Sequence, residues 1–360
     1  MMTHQRAEAL AAAAAGFADV LGPTGAGDLL AWLRAELGDD VALDAWVAHG
    51  GARARALAPG VILHVVSGNT PHAALQSLVG GLLLGSRNLV KLPRGGLPAV
   101  EQFLPALPGE LRALVEVAEE LPDAWWTAAE AVLAYGSDET IAALRACAPV
   151  GTTFIGHGHK VSFGVVWEDP DLLSCVGAAR DVSRFDQQGC LSPHLFYVRE
   201  ARPGLAREYA EKLAEAMDAF NREHPRGPLT MAERAEIADL RAAYRFRAAG
   251  DLRVVLWEGG GDLDWTVIYE EDPWFATSCL NRVVFVKPLP ADLAAAVGPS
   301  AGHIGAIGLW PCTEEVADCF IGLRPSRFCP LGRMQDPPWT WHNGGVARLA
   351  SLVKWVDFEA

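Results

Sequence analysis

The group in this chain most able to form and break a covalent bond is a cysteine on a glycine turn, in Phe185-Asp186-Gln187-Gln188-Gly189-Cys190-Leu191-Ser192-Pro193-His194. A cysteine acts as a nucleophile through its thiolate, and reactive groups of this kind are carried on loops held by a rigid scaffold. The competing reading of Cys190 is a buried structural cysteine, and the local residues leave both open. His194 stands close enough in sequence to favour the thiolate or simply to pack. Asn69, in Ser67-Gly68-Asn69-Thr70-Pro71, is either a side-chain amide donor or a turn residue before proline. His157 and His159 in Gly156-His157-Gly158-His159-Lys160 could bind a metal only with further ligands, and no carboxylate or cysteine is close in sequence, so no metal is expected.

These residues need elements to position them. Asp169-Pro170 reads as an N-cap and first-turn proline, followed by Leu172, Leu173, Val176, Ala179 and Val182 at helical spacing. Leu195 to Val198 reads as a buried strand, which puts Cys190 in a helix-to-strand loop. Upstream, two helices are expected at 5–21 and 28–37, split by the glycine and proline of 22–27. Val61 to Val66, a helix at about 72–84 and Asn88 to Pro93 then form a strand, helix and strand, the βαβ unit. The pattern repeats with a strand at 131–135, a helix at 140–147, and strands at 153–155 and 162–166. No Gly-x-Gly-x-x-Gly follows the first strand, and Gly80 to Gly85 lacks the lysine of a phosphate-binding loop.

Beyond Cys190, helices are predicted at about 204–221 and 231–249, the second opening with a Thr230 to Glu233 capping box. Strands at 253–257 and 265–269 flank Gly259-Gly260-Gly261 as a hairpin. Core strands follow at 283–286 and 304–309 with a helix between them at about 290–297. The tail from Arg324 to Gly345 is rich in proline, tryptophan and glycine and reads as an irregular wrap before a short helix near 346–353. The domains are therefore expected at 1–162, 163–323 and 324–360.

The chain has 360 residues, about half of them apolar, which is enough to bury a large core. A net charge of −14 disfavours nucleic acid as main partner, because phosphates would need a basic face. Seven cysteines with no Cys-x-x-Cys pair point to a reducing, cytoplasmic setting with no disulfide framework. The N-terminal alanine run is broken by Glu8 and Asp19, against a signal peptide, and no apolar run reaches the roughly 20 residues of a membrane span.

Four separated segments fit one pattern: His64 to Pro71, Asn88 to Lys91, Tyr135-Gly136-Ser137 with Lys160-Val161-Ser162, and Phe185 to Pro193. The chain resembles the acyl-CoA reductase family of the bacterial bioluminescence fatty-acid reductases, a branch of the aldehyde dehydrogenase superfamily. The tail segments Cys329 to Gln335 and Trp355 to Asp357 also look like that family's C-terminus. The resemblance implies an α/β, aldehyde dehydrogenase-like fold of two doubly wound lobes with the active site between them. It implies Cys190 as nucleophile and Asn69 as oxyanion donor, such donors contributing roughly 10²–10³ each. It implies cofactor binding by Ser67, Lys91, Arg94, Gly136, Ser137, His157 and Gly158.

Many NAD-preferring relatives carry an acid where Arg94 stands, and Lys91 with Arg94 suits a 2′-phosphate, so NADPH is expected over NADH. A solvated Arg94, or Ser137 as a plain helix cap, are the alternatives. The hydrolytic relatives' Glu-Leu-Gly-Gly-Lys segment corresponds to 156–160 here, without the water-activating glutamate. The implied reaction is NADPH-dependent reduction of an acyl thioester, carried on coenzyme A or an acyl-carrier protein, to an aldehyde. An acyl-phosphate or simple aldehyde dehydrogenase, or a non-catalytic subunit of a reductase complex, are the rivals. A homo-oligomer or an acyl-transfer partner protein is the expected company.

Overall fold

In the computed structural model, residues 1–68 and 71–359 are described. The chain divides into two compact units, Met1–His159 with Pro338–Ala360, and Lys160–Pro337.

The first unit begins with α1 (Thr3–Ala14) and α2 (Ala26–Leu37). Strands β1 (Val47–His49) and β2 (Ala52–Leu57) follow. Ala54 and Ala56 of β2 are buried while Arg53 and Leu57 face solvent, the period-two pattern of a one-sided strand. Next come β3 (Val61–Val65), α3 (Pro71–Leu84), β4 (Arg87–Lys91), β5 (Val115–Ala118), β6 (Ala131–Tyr135), α4 (Asp138–Cys147) and β7 (Thr153–His157). The last five strands form a parallel sheet in the order β5-β4-β3-β6-β7. Its chain order reverses at β3 and β6, where open α/β sheets bind ligands at the carboxyl ends of the strands.

Helix α3 is apolar nearly all round and almost wholly buried. Glycines let it approach the sheet: a Cβ on Gly81 would lie 1.9 Å from Asn88 Oδ1. Asn88 in turn holds His64. Its Nδ2 donates to Ser86 O, so its Oδ1 accepts from His64 Nε2 at 2.9 Å, and His64 Nδ1 meets the Ser77 hydroxyl at 2.7 Å. Burial pushes the His64 pKa down to about 4, so the ring is neutral.

The second unit opens with β8 (Val161–Val166), α5 (Leu172–Ser183) and β9 (Pro193–Val198). It continues with α6 (Leu205–Glu223), α7 (Met231–Gly250), β10 (Val254–Glu258) and β11 (Thr266–Glu270). It ends with β12 (Val283–Pro288), α8 (Leu293–Val297), β13 (Ile304–Trp310) and β14 (Arg327–Pro330). The sheet order is β10-β11-β12-β9-β8-β13-β14, all parallel except the β10-β11 hairpin. The expected capping box of α7 is present, with Thr230 N donating to Glu233 at 2.7 Å and Glu233 N to the Thr230 hydroxyl at 3.3 Å.

Four expectations change. The cap of α5 is Asp171, whose carboxylate accepts from Ser174 N at 2.8 Å, and not Asp169. The face that packs inward carries Cys175, Ala178, Ala179 and Val182, and Leu172, Leu173 and Val176 are exposed. The tail is not one wrap. β14 extends the second sheet beside β13, so residues 324–337 go with the second unit, while 338–360 go with the first. No helix forms at 346–353. The backbone N–H groups of Arg348, Leu349 and Ala350 donate instead to the Glu36 carboxylate on α2, and Lys354–Phe358 pairs antiparallel with β2. The boundary also falls before Lys160, because Val161 already starts β8.

Candidate active site

Cys190 precedes β9 at the amino end of the second sheet. Ser162, near the start of β8, donates its hydroxyl to Cys190 O at 2.9 Å and accepts from Ala306 N of β13 at 3.0 Å. The loop therefore rests on the first residues of three strands. A Cβ on Gly189 would lie 2.8 Å from Gln335 Oε1, so a side chain there would have to displace the Gln335 amide. Gln335 Nε2 donates to the Ser192 hydroxyl and, at 3.4 Å, to Asp181 O.

The backbone before Cys190 is unusual. Phe185, Asp186 and Gln187 have φ of 53°, 50° and 64°, and across the sheet edge Leu280, Asn281 and Arg282 have φ of 62°, 54° and 65°. Non-glycine residues in this region cost about 1–3 kcal/mol each and persist where surrounding contacts over-determine them. Here the two runs clamp one another. Asp186 Oδ1 accepts from Arg282 Nε at 2.9 Å, Gln188 Nε2 donates to Asn281 Oδ1 at 2.9 Å, and Gln187 exchanges two bonds with the backbone of Val283 at 2.9 and 2.8 Å. Gln187 also donates to Pro193 O at 2.8 Å. The Gln-Gln pair of the cysteine segment is thus a brace. Its partner, Ser278 to Val283, was missed by sequence reasoning; Asn281, a residue tolerant of positive φ, was the one available signal.

Cys190 itself is exposed, although the packed surroundings of its thiol push the pKa above the ordinary value. Its own backbone N–H and the positive charge of Lys160 act in the opposite sense, favouring the thiolate. Lys160 was not among the candidate residues. His194, a candidate neighbour of the thiolate, accepts at Nδ1 from Ser278 N at 3.1 Å, which ties its ring to the brace segment. Asn69 lies outside the described residues.

In the first unit, the seven cofactor candidates converge at the carboxyl edge of the five-stranded sheet. Ser67 follows β3, Lys91 ends β4 and Arg94 follows it, Gly136 and Ser137 follow β6, and His157 ends β7 before Gly158. Ser137 caps α4, its hydroxyl accepting from Thr140 N at 3.3 Å. The first turn of α4 also carries Asp138 and Glu139. Glu139 bonds its own backbone N–H, which holds its carboxyl below the usual range, and Asp138 accepts from His159 N at 2.9 Å. These acids stand in the helix terminus next to the cofactor candidates Gly136 and Ser137. The edge also holds an acid that the sequence reading did not weigh: Glu119 accepts from Gly95 N at 2.9 Å, next to Arg94.

His157 stacks on Tyr135, with centroids 4.7 Å apart. Both line a tight crevice of about 20 Å³, room for about one water, together with Gln76 and Arg348. Arg348 lies 4.2 Å from the Trp32 ring, and burial pushes its pKa down to about 10. It was not singled out by its sequence. Among the described residues no group of three or more side chains could hold a metal ion, and no single helix is long and apolar enough to cross a membrane.

Residues 6–355 match a family described as Acyl-CoA reductase (LuxC). The chain is 22% identical over 343 residues to a long-chain acyl-protein thioester reductase of Photobacterium phosphoreum, covering 91% of this chain and 68% of that protein. It is 23% identical over 350 residues to the enzyme of the same description from Aliivibrio fischeri, covering 90% and 69%. Among solved structures, it is similar to an oxidoreductase from Marinobacter aquaeolei (TM-score 0.69, 13% identity, 99% of this chain and 86% of that one). It is also similar to an NAD-dependent benzaldehyde dehydrogenase from Corynebacterium glutamicum (TM-score 0.64, 14% identity, 100% and 86%). The fold is that of the aldehyde dehydrogenases over the whole chain.

Proposed function

The chain belongs to the acyl-CoA reductase (LuxC) family, and from that premise we propose that it reduces an acyl thioester to an aldehyde through an acyl-Cys190 intermediate, with NADPH as reductant. The observation that carries this reading is the braced, exposed Cys190 under the charge of Lys160. Its thiolate attacks the thioester carbonyl, a new carbon–sulfur bond forms, and the donor thiolate leaves and takes up a proton. The donor is coenzyme A or a protein thiol, the latter in keeping with the relatives' names. NADPH supplies the hydride that reduces the acyl carbon. Cys190 then leaves as thiolate and the aldehyde is free. Because the acyl group is discharged by hydride, the chain has no need of the glutamate absent from 156–160.

The carboxyl edge of the five-stranded sheet suits a dinucleotide at its ribose end, where Lys91 and Arg94 supply positive charge for a 2′-phosphate. Glu119 beside Gly95 favours ribose hydroxyls instead, which makes NADH the second reading. Asp138 and Glu139, in the first turn of α4, would make that terminus unfavourable for a pyrophosphate.

Incubation with acyl-CoA and no reductant should give a hydroxylamine-sensitive mass increase on Cys190, absent in Cys190→Ala. Unimpaired turnover by Cys190→Ala would sink the proposal. A panel of acyl-CoA, acyl phosphate and free aldehyde, each with NADPH and NADH, separates it from the dehydrogenase alternatives.

A further inference from the structure

The second unit has a cavity that the chemistry of Cys190 does not use. Cys190, Ser162 and Gly305 gather at the amino ends of β9, β8 and β13. At the opposite, carboxyl edge of the same sheet, Trp167 follows β8, Arg199 follows β9 and Leu289 follows β12. Six-residue strands rising about 3.3 Å per residue separate the two edges by roughly 20 Å. Chain order in this sheet reverses beside β8: the connection from β8 leads to β9 on one side, and that from β12 crosses back to β13 on the other. Crevices at the carboxyl ends of strands near such a reversal are where open α/β sheets take ligands.

A cavity of about 690 Å³ lies there, within the usual range of roughly 300–1,000 Å³ for small-molecule sites. Leu289, Leu293 and Phe320 supply an apolar lining, and Trp167 packs edge to face on Phe320 with centroids 5.7 Å apart. One wall carries a cation. The Arg199 guanidinium sits over the Trp167 ring at 4.5 Å and stays exposed, and among the described residues no carboxylate comes within ion-pair distance of it. The acid on the rim, Asp292, is engaged as the cap of α8, accepting from Ala295 N at 2.9 Å. The stacked ring fixes the guanidinium in place without using its N–H donors.

We propose that this cavity binds a small amphiphile with an apolar body and one anionic head, the head on Arg199 and the body against Leu289, Leu293 and Phe320. The site is independent of the reading of Cys190. Cys319, exposed and lining the same cavity, offers a local reporter.

The rate of iodoacetamide modification at each cysteine is followed by peptide mass spectrometry, with decanoate as probe and decanol as a control of like apolar body without the charge. Decanoate should slow modification of Cys319 roughly tenfold at saturation and leave the exposed Cys147 of the first unit unchanged. Arg199→Ala should weaken that protection roughly tenfold, the loss of one charge-assisted contact, and Arg199→Lys should restore part of it. Ala294→Trp, which fills the cavity from α8, should slow Cys319 without any probe and abolish the decanoate effect. Equal protection by decanol, equal protection of Cys147, protection unchanged in Arg199→Ala, or no protection at all would each overturn the proposal.

Discussion

At the scale of single residues, the reactivity of Cys190 is a contest between burial and charge. Packing of its surroundings raises the thiol pKa, while Lys160 and the residue's own N–H lower it. Removing the lysine charge leaves burial less opposed. Lys160→Met should therefore shift the pH dependence of Cys190 alkylation to higher pH and slow acylation at pH 7 by roughly three- to tenfold, as a shift of half to one pKa unit requires. Rates of iodoacetamide labelling between pH 6 and 10 measure this directly. A profile that does not move would assign the thiolate's stabilisation to the backbone alone. Cys190 stood out as a candidate from its segment, whereas the charge of Lys160 beside it did not, because nothing in the sequence brings residue 160 against residue 190.

Between elements, two braces carry the argument. The first joins the left-handed runs at 185–187 and 280–282, with the fully buried Gln187 at its centre. Gln187→Leu would remove its bonds to Pro193 and Val283 and leave their buried groups unsatisfied, at about 1–3 kcal/mol each. A loss of about 3–5 kcal/mol in urea unfolding is expected, with a large fall in turnover as the Cys190 loop loses its support. The second brace is Glu36, whose carboxylate gathers three successive N–H groups of the tail and also accepts from Trp32 Nε1 at 2.6 Å. Glu36→Ala should cost about 2–3 kcal/mol and expose the Arg348 peptide bond to trypsin. Limited proteolysis under native conditions tests it, and an unchanged cleavage pattern would show that the closing strand alone holds the tail. The short helix expected near 346–353 does not form; the N–H groups of Arg348, Leu349 and Ala350 are held by the carboxylate of residue 36, a partner that the local sequence does not show.

Over the whole molecule, two buried groups tie stability to pH in opposite senses. His64 has a folded pKa near 4, below its unfolded value of about 6.5. Between those values the unfolded chain binds a proton that the folded chain refuses, so stability falls as pH drops through this window, by at most about 3 kcal/mol. Asp181, buried beneath the turn at 332–334, is raised from its ordinary value to about 7, although Gly332 N and Met334 N donate to it. There the folded chain holds the proton longer, so stability is fullest at low pH and falls as pH rises through about 4 to 7. Urea unfolding from pH 4 to 8 should show His64→Gln flattening the acid limb in the first unit and Asp181→Asn flattening the neutral limb in the second. If neither variant changes its limb, the two groups titrate alike in the folded and unfolded chains.

What the sequence determined by itself is what depends on local pattern: the βαβ units, the long amphipathic α6, the capping box of α7, and the cysteine segment with its family resemblance. It also placed Gly136 and Ser137 just after a strand, Lys91 within one and His157 between two, and the structure brings all four to one sheet edge. Only the tertiary structure decided what depends on packing and on the choice among competing partners. Helix α5 is capped by Asp171 and carries Leu172 and Leu173 outward, Glu36 clasps the N–H groups of the tail, and β14 joins part of the tail to the second sheet. The physical reason is common to all three. A backbone N–H or an apolar face pairs with whichever partner the packed fold presents, whether Asp171 beside Ser174 or Glu36 far from Leu349 in the chain, and periodicity within the segment carries no trace of the choice.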